Sequence, residues 1–181
     1  MTVCTANMCR SPMAEALLRR HLEERGQDAT VSSAGLLEDG HPAAPEVASL
    51  LSARGIDGSG HRSRRLRRSL IENSDLVLAM AREHLREAVL LAPTAFGRIF
   101  TLKEIVRRGE VVGALDPGAD REAWLGRLGA GRQRRELMGN SPEDDVEDPI
   151  GGPMSAFRST LEELDDLTGR LAALLAPQPA P

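Results

Sequence analysis

The chain of 181 residues contains no tyrosine, and one tryptophan and three phenylalanines make up its 2% of aromatic residues. Proteins that bind single-stranded nucleic acids stack the bases on aromatic side chains beside basic ones, so this scarcity argues against that class. The net charge of -4 argues the same way. We therefore expect no nucleic-acid partner, even for the arginine-rich residues 61–68.

Cysteine is also scarce, and no apolar run is long enough to cross a membrane as a helix. Cys4 and Cys9 lie within one short segment, which excludes the disulfide framework of a small secreted protein. The four histidines lack the spacing of metal ligands. We therefore expect a cytoplasmic protein with no metal, no other cofactor and no membrane partner.

The hydrophobic content of 41% is sufficient for a substantial core. Short apolar segments alternate with amphipathic ones, which predicts a single α/β domain over residues 1–176. Its centre is a parallel sheet of about four strands with helices on both faces. The predicted strands are 1–3, 29–33, 76–80 and 98–101. The predicted helices are 12–25, 44–54, 63–71, 82–91, 102–108 and 154–175, and a disordered tail is predicted at 177–181.

One segment near the N-terminus indicates the chemistry. Cys4 and Arg10 are separated by five residues, and a helix is predicted to follow. Ser11 is the predicted N-cap of this helix, and Pro12 is predicted to lie in its first turn. The N-terminus of a helix attracts anions through its unpaired N–H groups and its dipole. These groups favour the nucleophilic thiolate form of Cys4. The planar guanidinium of Arg10 can donate two parallel hydrogen bonds to two oxygens of a phosphate. The spacing therefore predicts phosphoryl transfer through cysteine.

Residues 3–18, VCTANMCRSPMAEALL, resemble the signature of the low-molecular-weight protein tyrosine phosphatases. Weaker matches follow at residues 32–35, 55–64, 75–80 and 148–149. The resemblance implies a phosphatase that forms a phosphocysteine and acts on a phosphorylated protein. We expect a monomer or a weak dimer.

The resemblance also implies roles for individual residues. Cys4 is the nucleophile, Arg10 clamps the phosphate, and Asp148 first protonates the leaving oxygen and then activates water. The phosphate-binding loop is expected to comprise Thr5, Ala6, Asn7, Met8, Cys9 and Arg10.

Further residues are expected to support that loop. Asn7 holds it through side-chain hydrogen bonds with Ser33 and His61, and the hydroxyl of Ser11 hydrogen-bonds the thiolate. Cys9 either traps the oxidised nucleophile as a disulfide or only packs against the loop.

Asp148 has one competitor for the role of acid. Asp116 also precedes a proline. We favour Asp148 because it lies just before a glycine-rich turn and the last helix, as in the family.

Two features depart from the family pattern. Residues 109–141 are rich in glycine and arginine and longer than usual, and they are interpreted as an insert with a helix at 120–128 anchored by Trp124. The insert is a mobile flap, a substrate-docking element or a plain elaboration of the surface, and we favour the last of these.

Only three residues precede Cys4, whereas a central strand usually has about five or six. We therefore expect the true start of the protein to lie upstream.

The substrate is open between three candidates. Ile150 replaces the tyrosines of many relatives, so an aliphatic wall of Leu36, Leu37 and Ile150 would face the substrate. Residues 148–152 resemble the protein-arginine phosphatases, but Met8 stands where those enzymes tend to have a small threonine. The third candidate is an arsenate reductase. The form coupled to thioredoxin needs further cysteines and is excluded, because none follows Cys9. An arsenate reductase that uses a small thiol as its reductant stays open. We favour phosphotyrosine.

Overall fold

The computed structural model describes residues 1–133 and 138–177, so the predicted tail at 177–181 lies outside the described residues except for Pro177. Four parallel strands form one sheet in the order β2-β1-β3-β4. The strands are β1 (Thr2–Cys4), β2 (Ser33–Gly35), β3 (Val77–Ala79) and β4 (Ile99–Thr101). The predicted fold class is confirmed.

Helices cover both faces of this sheet. They are α1 (Arg10–Glu23), α2 (Pro45–Ser52), α3 (Arg68–Glu72), α4 (Arg82–Leu91), α5 (Leu102–Val112), α6 (Arg121–Leu128) and α7 (Met154–Leu175), with a 3-10 turn at Pro93–Arg98. Among the residues described, no helix is both long and apolar enough to span a membrane.

The hydrophobic core has two parts, one on each face of the sheet. Leu78 and Phe100 belong to the part formed with α1, α2, α5, α6 and α7. Val77, Ala79 and Ile99 belong to the part formed with α3 and α4. All four strands are buried throughout because both faces are covered. Because the strands are parallel, their carboxyl ends lie at the same edge of the sheet, where α/β proteins bind ligands.

Two predicted elements were wrong. The second strand is Ser33–Gly35, not 29–33, because pairing with β1 fixes its register and leaves Ala29 and Thr30 exposed. The predicted helix at 63–71 is only the short α3. The preceding residues run beside β2, where Gly35 N–H donates to Arg64 O and Leu66 N–H donates to Gly35 O. Their backbone groups are thus engaged with β2 and not with a helix.

The helix predicted at 120–128 is present as α6. Trp124 is fully buried, and its Nε1 donates a hydrogen bond to Gly113 O at 2.9 Å. The interpretation of residues 109–141 as an insert stays a prediction.

Gly35 should tolerate no side chain, because β2 approaches the loop after β1 closely at this point. A Cβ atom on Gly35 would lie 2.6 Å from Asn7 N and 2.8 Å from Thr5 O. These are backbone atoms, so the loop itself would have to move. We expect Gly35→Ala to lower the free energy of unfolding by about 1–3 kcal/mol, measured by urea denaturation. Gly60→Ala is the control, since nothing lies within 4 Å of its Cβ position, and an equal loss there would contradict the steric explanation.

Candidate active site

The loop at residues 5–9 connects the carboxyl end of β1 to the first residue of α1. Cys4 lies at its start and is 2% exposed, with its Sγ 3.0 Å from Ser11 Oγ. In the part of the chain that the structure describes, the backbone N–H groups of residues 5–10 donate to no protein acceptor. Such a run of free N–H groups at a helix N-terminus forms an anion-binding concavity.

Arg10 brings the positive charge to this loop. Its side chain is 5% exposed and makes three hydrogen bonds. Nη1 donates to Val146 O at 3.1 Å, while Nη2 donates to Thr5 Oγ1 at 3.1 Å and to Asp148 Oδ2 at 2.5 Å. These contacts fix the guanidinium between the loop and Asp148, so the fold brings Arg10 and Asp148 to the loop that begins after Cys4, the predicted nucleophile.

The Asn7 side chain connects the loop to the elements packed against it. It is fully buried and has a positive φ of 54°, which non-glycine residues adopt rarely. Its Nδ2 donates to Ser11 Oγ at 2.9 Å and to Ser33 Oγ at 2.8 Å, and its Oδ1 accepts from Arg64 N–H at 2.8 Å. The side chain thus ties the loop to α1, to β2 and to the segment beside β2.

Two expectations about this network need correction. The hydrogen bond between His61 and Asn7 does not use the Asn7 side chain, because His61 Nε2 donates to the backbone Asn7 O at 2.7 Å. Ser11 does not cap the helix, because α1 already begins at Arg10 and has no side-chain cap. The Ser11 hydroxyl accepts from Asn7, which leaves its hydrogen available to Cys4 Sγ or to Ala34 O at 3.4 Å.

Several supporting residues were missed from the sequence. Ser33 Oγ donates to Glu15 Oε2 at 2.5 Å, and the Arg64 guanidinium donates to Ser33 O at 2.8 Å and 3.1 Å. His84 Nε2 lies 2.9 Å from Thr5 Oγ1. No local sequence signal marks Arg64 or His84, because the fold alone brings them to the loop.

A buried ion cluster anchors the segment that carries Asp148. The Asp144 side chain is 4% exposed and contacts Arg82 at 2.7 Å and Arg107 at 2.8 Å. Burial alone would raise the pKa of Asp144, but hydrogen bonds from Arg107 and Arg82 hold that pKa below its ordinary value. Asp145 Oδ1 accepts from Arg82 N–H at 2.7 Å. Asp144 and Asp145 therefore attach this segment to the start of α4.

The segment then reaches the loop. Val146 N–H donates to Met80 O at 2.8 Å, directly after β3, and Asp148 Oδ1 accepts from Ile150 N–H at 3.2 Å. The Asp148 side chain is 41% exposed, open enough to meet a substrate. Asp116 lies elsewhere, in a groove lined by Val112, Pro117 and other residues near the end of α7. Asp148, and not Asp116, contacts Arg10.

Cys9 lies at the end of the loop and is 4% exposed. Burial raises the pKa of its thiol, and the nearby Asp148 and Cys4 raise it further. Cys9 is therefore a thiol at neutral pH. Its role in trapping an oxidised Cys4 stays a prediction.

Aliphatic side chains flank the site. Leu37 and Ile150 are each 54% exposed, and Leu36 and Met8 are half-buried. The aromatic side chains are used elsewhere: Trp124, Phe100 and Phe157 are buried in the core, and Phe96 packs under the Arg132 guanidinium.

Comparisons with known proteins agree with this geometry. Residues 1–124 match the family model of low molecular weight phosphotyrosine protein phosphatase. A probable low molecular weight protein-tyrosine-phosphatase, EpsP, of Ralstonia solanacearum is 40% identical over 106 residues, covering 58% of this chain and 70% of that protein. A protein-arginine-phosphatase of Bacillus subtilis is 32% identical over 178 residues, covering 96% of this chain and 93% of that protein.

Solved structures are similar over nearly the whole chain. The crystal structure of a low molecular weight protein tyrosine phosphatase from T. tengcongensis has a TM-score of 0.71 and 35% sequence identity, and the match covers 94% of each chain. The family resemblance predicted from the sequence is thus confirmed.

Asn7 should contribute to stability through both its hydrogen bonds and its backbone conformation. Asn7→Ala removes the three side-chain bonds and leaves a Cβ atom at a φ of 54°. We expect it to lower the free energy of unfolding by about 2–4 kcal/mol, measured by urea denaturation. Asn7→Gly loses the same bonds but relieves the backbone, so it should cost about 1 kcal/mol less. Equal losses would show that the backbone turn carries no strain.

Proposed function

Because the chain belongs to the low-molecular-weight phosphotyrosine protein phosphatase family, we propose that Cys4, Arg10 and Asp148 hydrolyse phosphorylated tyrosine side chains of proteins. The chain is a cysteine-dependent phosphatase by family. The observation that supports the assignment of residues is the contact of Arg10 Nη2 with Asp148 Oδ2 at 2.5 Å. This contact lies beside residues 5–10, whose backbone N–H groups donate to no acceptor in the described part of the chain.

The proposed reaction has two steps. The Cys4 thiolate attacks phosphorus, the bond to the leaving oxygen breaks, and Asp148 donates its proton to that oxygen. Water then attacks the phosphocysteine, Asp148 takes a proton from the water, and Cys4 leaves as a thiolate that the Ser11 hydroxyl stabilises. Arg10 and the loop N–H groups bind the phosphoryl oxygens in both steps.

Phosphotyrosine is the favoured substrate because Met8 is bulky and Leu37 and Ile150 offer apolar surface to a flat ring. A second candidate, phosphoarginine, has its own support. The protein-arginine-phosphatases of Bacillus subtilis and Geobacillus stearothermophilus each match over 96% of this chain. The tyrosine phosphatase EpsP matches over 58% of it. The cytoplasmic location and the monomeric or weakly dimeric state stay predictions.

Turnover by three proteins tests the assignment of residues. Wild type should hydrolyse an aryl phosphate, Cys4→Ser should show no turnover because a serine hydroxyl without an adjacent base is a poor nucleophile, and Asp148→Asn should be slower by about 10²- to 10⁴-fold. Asp116→Asn is the matched control and should behave as wild type. Retained hydrolysis by Cys4→Ser would contradict the mechanism, and a larger loss in Asp116→Asn than in Asp148→Asn would reverse the assignment of the acid.

Met8 should determine the choice between substrates. We expect wild type to prefer a phosphotyrosine peptide to a phosphoarginine peptide, and Met8→Thr to shift the ratio of the two kcat/KM values toward phosphoarginine by about tenfold, because it removes bulk beside a branched group. Met8→Leu keeps the bulk and should leave the ratio unchanged. A wild type that prefers phosphoarginine would favour the second candidate, and reduction of arsenate with a small thiol as reductant would indicate an arsenate reductase.

A further inference from the structure

His84 is a fully buried histidine in the first turn of α4. Its Nε2 lies 2.9 Å from Thr5 Oγ1. Its Nδ1 is buried and has no hydrogen-bond partner among the described residues. A buried N–H without an acceptor is rarer and more costly than an unpaired lone pair, so the hydrogen lies on Nε2, which donates it to Thr5 Oγ1. Burial, together with the nearby charges of Arg10 and Arg86, lowers the pKa of His84 to about 3. The ring is therefore neutral near pH 7, and Nε2–H is its one donor.

Thr5 Oγ1 then has two donors directed at it. Arg10 Nη2 donates to it at 3.1 Å, and His84 Nε2 donates at 2.9 Å. A hydroxyl has two lone pairs and one hydrogen, so both acceptor sites are filled and the hydrogen of Thr5 is left to donate. Arg10 Nη2 is also the atom that contacts Asp148. The free hydrogen of Thr5 thus lies next to the cation that binds the anion.

We propose that Thr5 donates a hydrogen bond to the phosphoryl group bound by the loop, and that His84 is a positioning residue that holds the Thr5 hydroxyl in the orientation this requires. The proposal rests on the proposed function, since it adds one side-chain donor to the same anion site. It assigns a function to a histidine that the phosphatase chemistry otherwise does not use. It also explains why the polar ring of His84 is buried against Thr5, a residue 79 positions away in sequence.

Conservative and disruptive variants of each residue separate this role from simple packing. Thr5→Val keeps the shape and removes the hydroxyl, whereas Thr5→Ser keeps the hydroxyl. His84→Leu removes the donor, whereas His84→Gln keeps an N–H donor at a similar reach. Urea denaturation of each variant first establishes that it is folded.

The test measures kcat and KM for an aryl phosphate. Thr5→Val should lower kcat/KM by about 10²-fold, as for loss of one preorganised donor to an oxyanion, and Thr5→Ser should keep most of the activity. His84→Leu should lower kcat/KM by about tenfold, and His84→Gln should restore it. The double variant Thr5→Val with His84→Leu should be no slower than Thr5→Val alone, because His84 acts through Thr5.

Two results would overturn the proposal. One is a folded Thr5→Val protein with the kcat/KM of wild type. The other is a double variant whose loss is the product of the two single losses, which would make His84 an independent packing residue. If His84→Leu does not fold, the comparison of Thr5→Val with Thr5→Ser alone decides whether the Thr5 hydroxyl donates to the phosphoryl group.

A binding measurement separates this proposal from the proposed function. In a Cys4→Ser background, which removes the chemistry, calorimetry gives the Kd of inorganic phosphate. Thr5→Val should raise that Kd by about tenfold, and an unchanged Kd would refute the hydrogen bond to the anion. If wild type hydrolyses no phosphate ester while phosphate still binds through Thr5, the proposed function fails and the role of Thr5 in binding stands.

Discussion

The anion site depends on the reversal of the backbone at Asn7. The positive φ of this residue turns the chain back between β1 and α1, so that the loop N–H groups have no acceptor within residues 1–133 and 138–177. The Asn7 side chain holds that turn through buried bonds to Ser11, Ser33 and Arg64. Asparagine suits the position because it tolerates the left-handed region and has both donors and an acceptor. The same turn places Arg10 at the first turn of α1, facing Asp148.

The central loop could be predicted from the sequence because its determinants are local. A cysteine, an arginine separated from it by five residues and a helix start lie within ten residues, so spacing alone indicates an anion site. Asp148 could be found only through the resemblance to the family, since it lies 138 residues from Arg10. The contacts of His84 and Arg64 were missed, because a side chain that the fold delivers from a distant element has no local pattern.

The errors in the fold have a related cause. Residues 29–33 have the composition of a strand, but the pairing of Thr2 with Ser33 and Cys4 with Gly35 determines which residues are in β2. Residues 63–66 have no residue that forbids a helix, yet their backbone is recruited to the edge of β2 at Gly35. In both places a non-local hydrogen bond overrides local preference. The helices α4, α6 and α7 were better predicted, because the hydrogen bonds of a helix join residues that are close in sequence.

Different residues are proposed for the phosphate chemistry and for the choice of substrate. Cys4, Asn7, Arg10 and Ser11 are buried, and the contacts proposed for the phosphate come largely from backbone N–H groups, so we expect substitutions at the surface to leave these contacts in place. Leu37 and Ile150 are exposed, and their hydrocarbon side chains have no donor or acceptor that could hold the loop. Substitutions among such exposed side chains cost little stability. We infer that one scaffold can therefore accept different phosphorylated side chains, and that the side chains around the mouth of the site, Met8 of the loop together with Leu37 and Ile150, determine which of them it accepts.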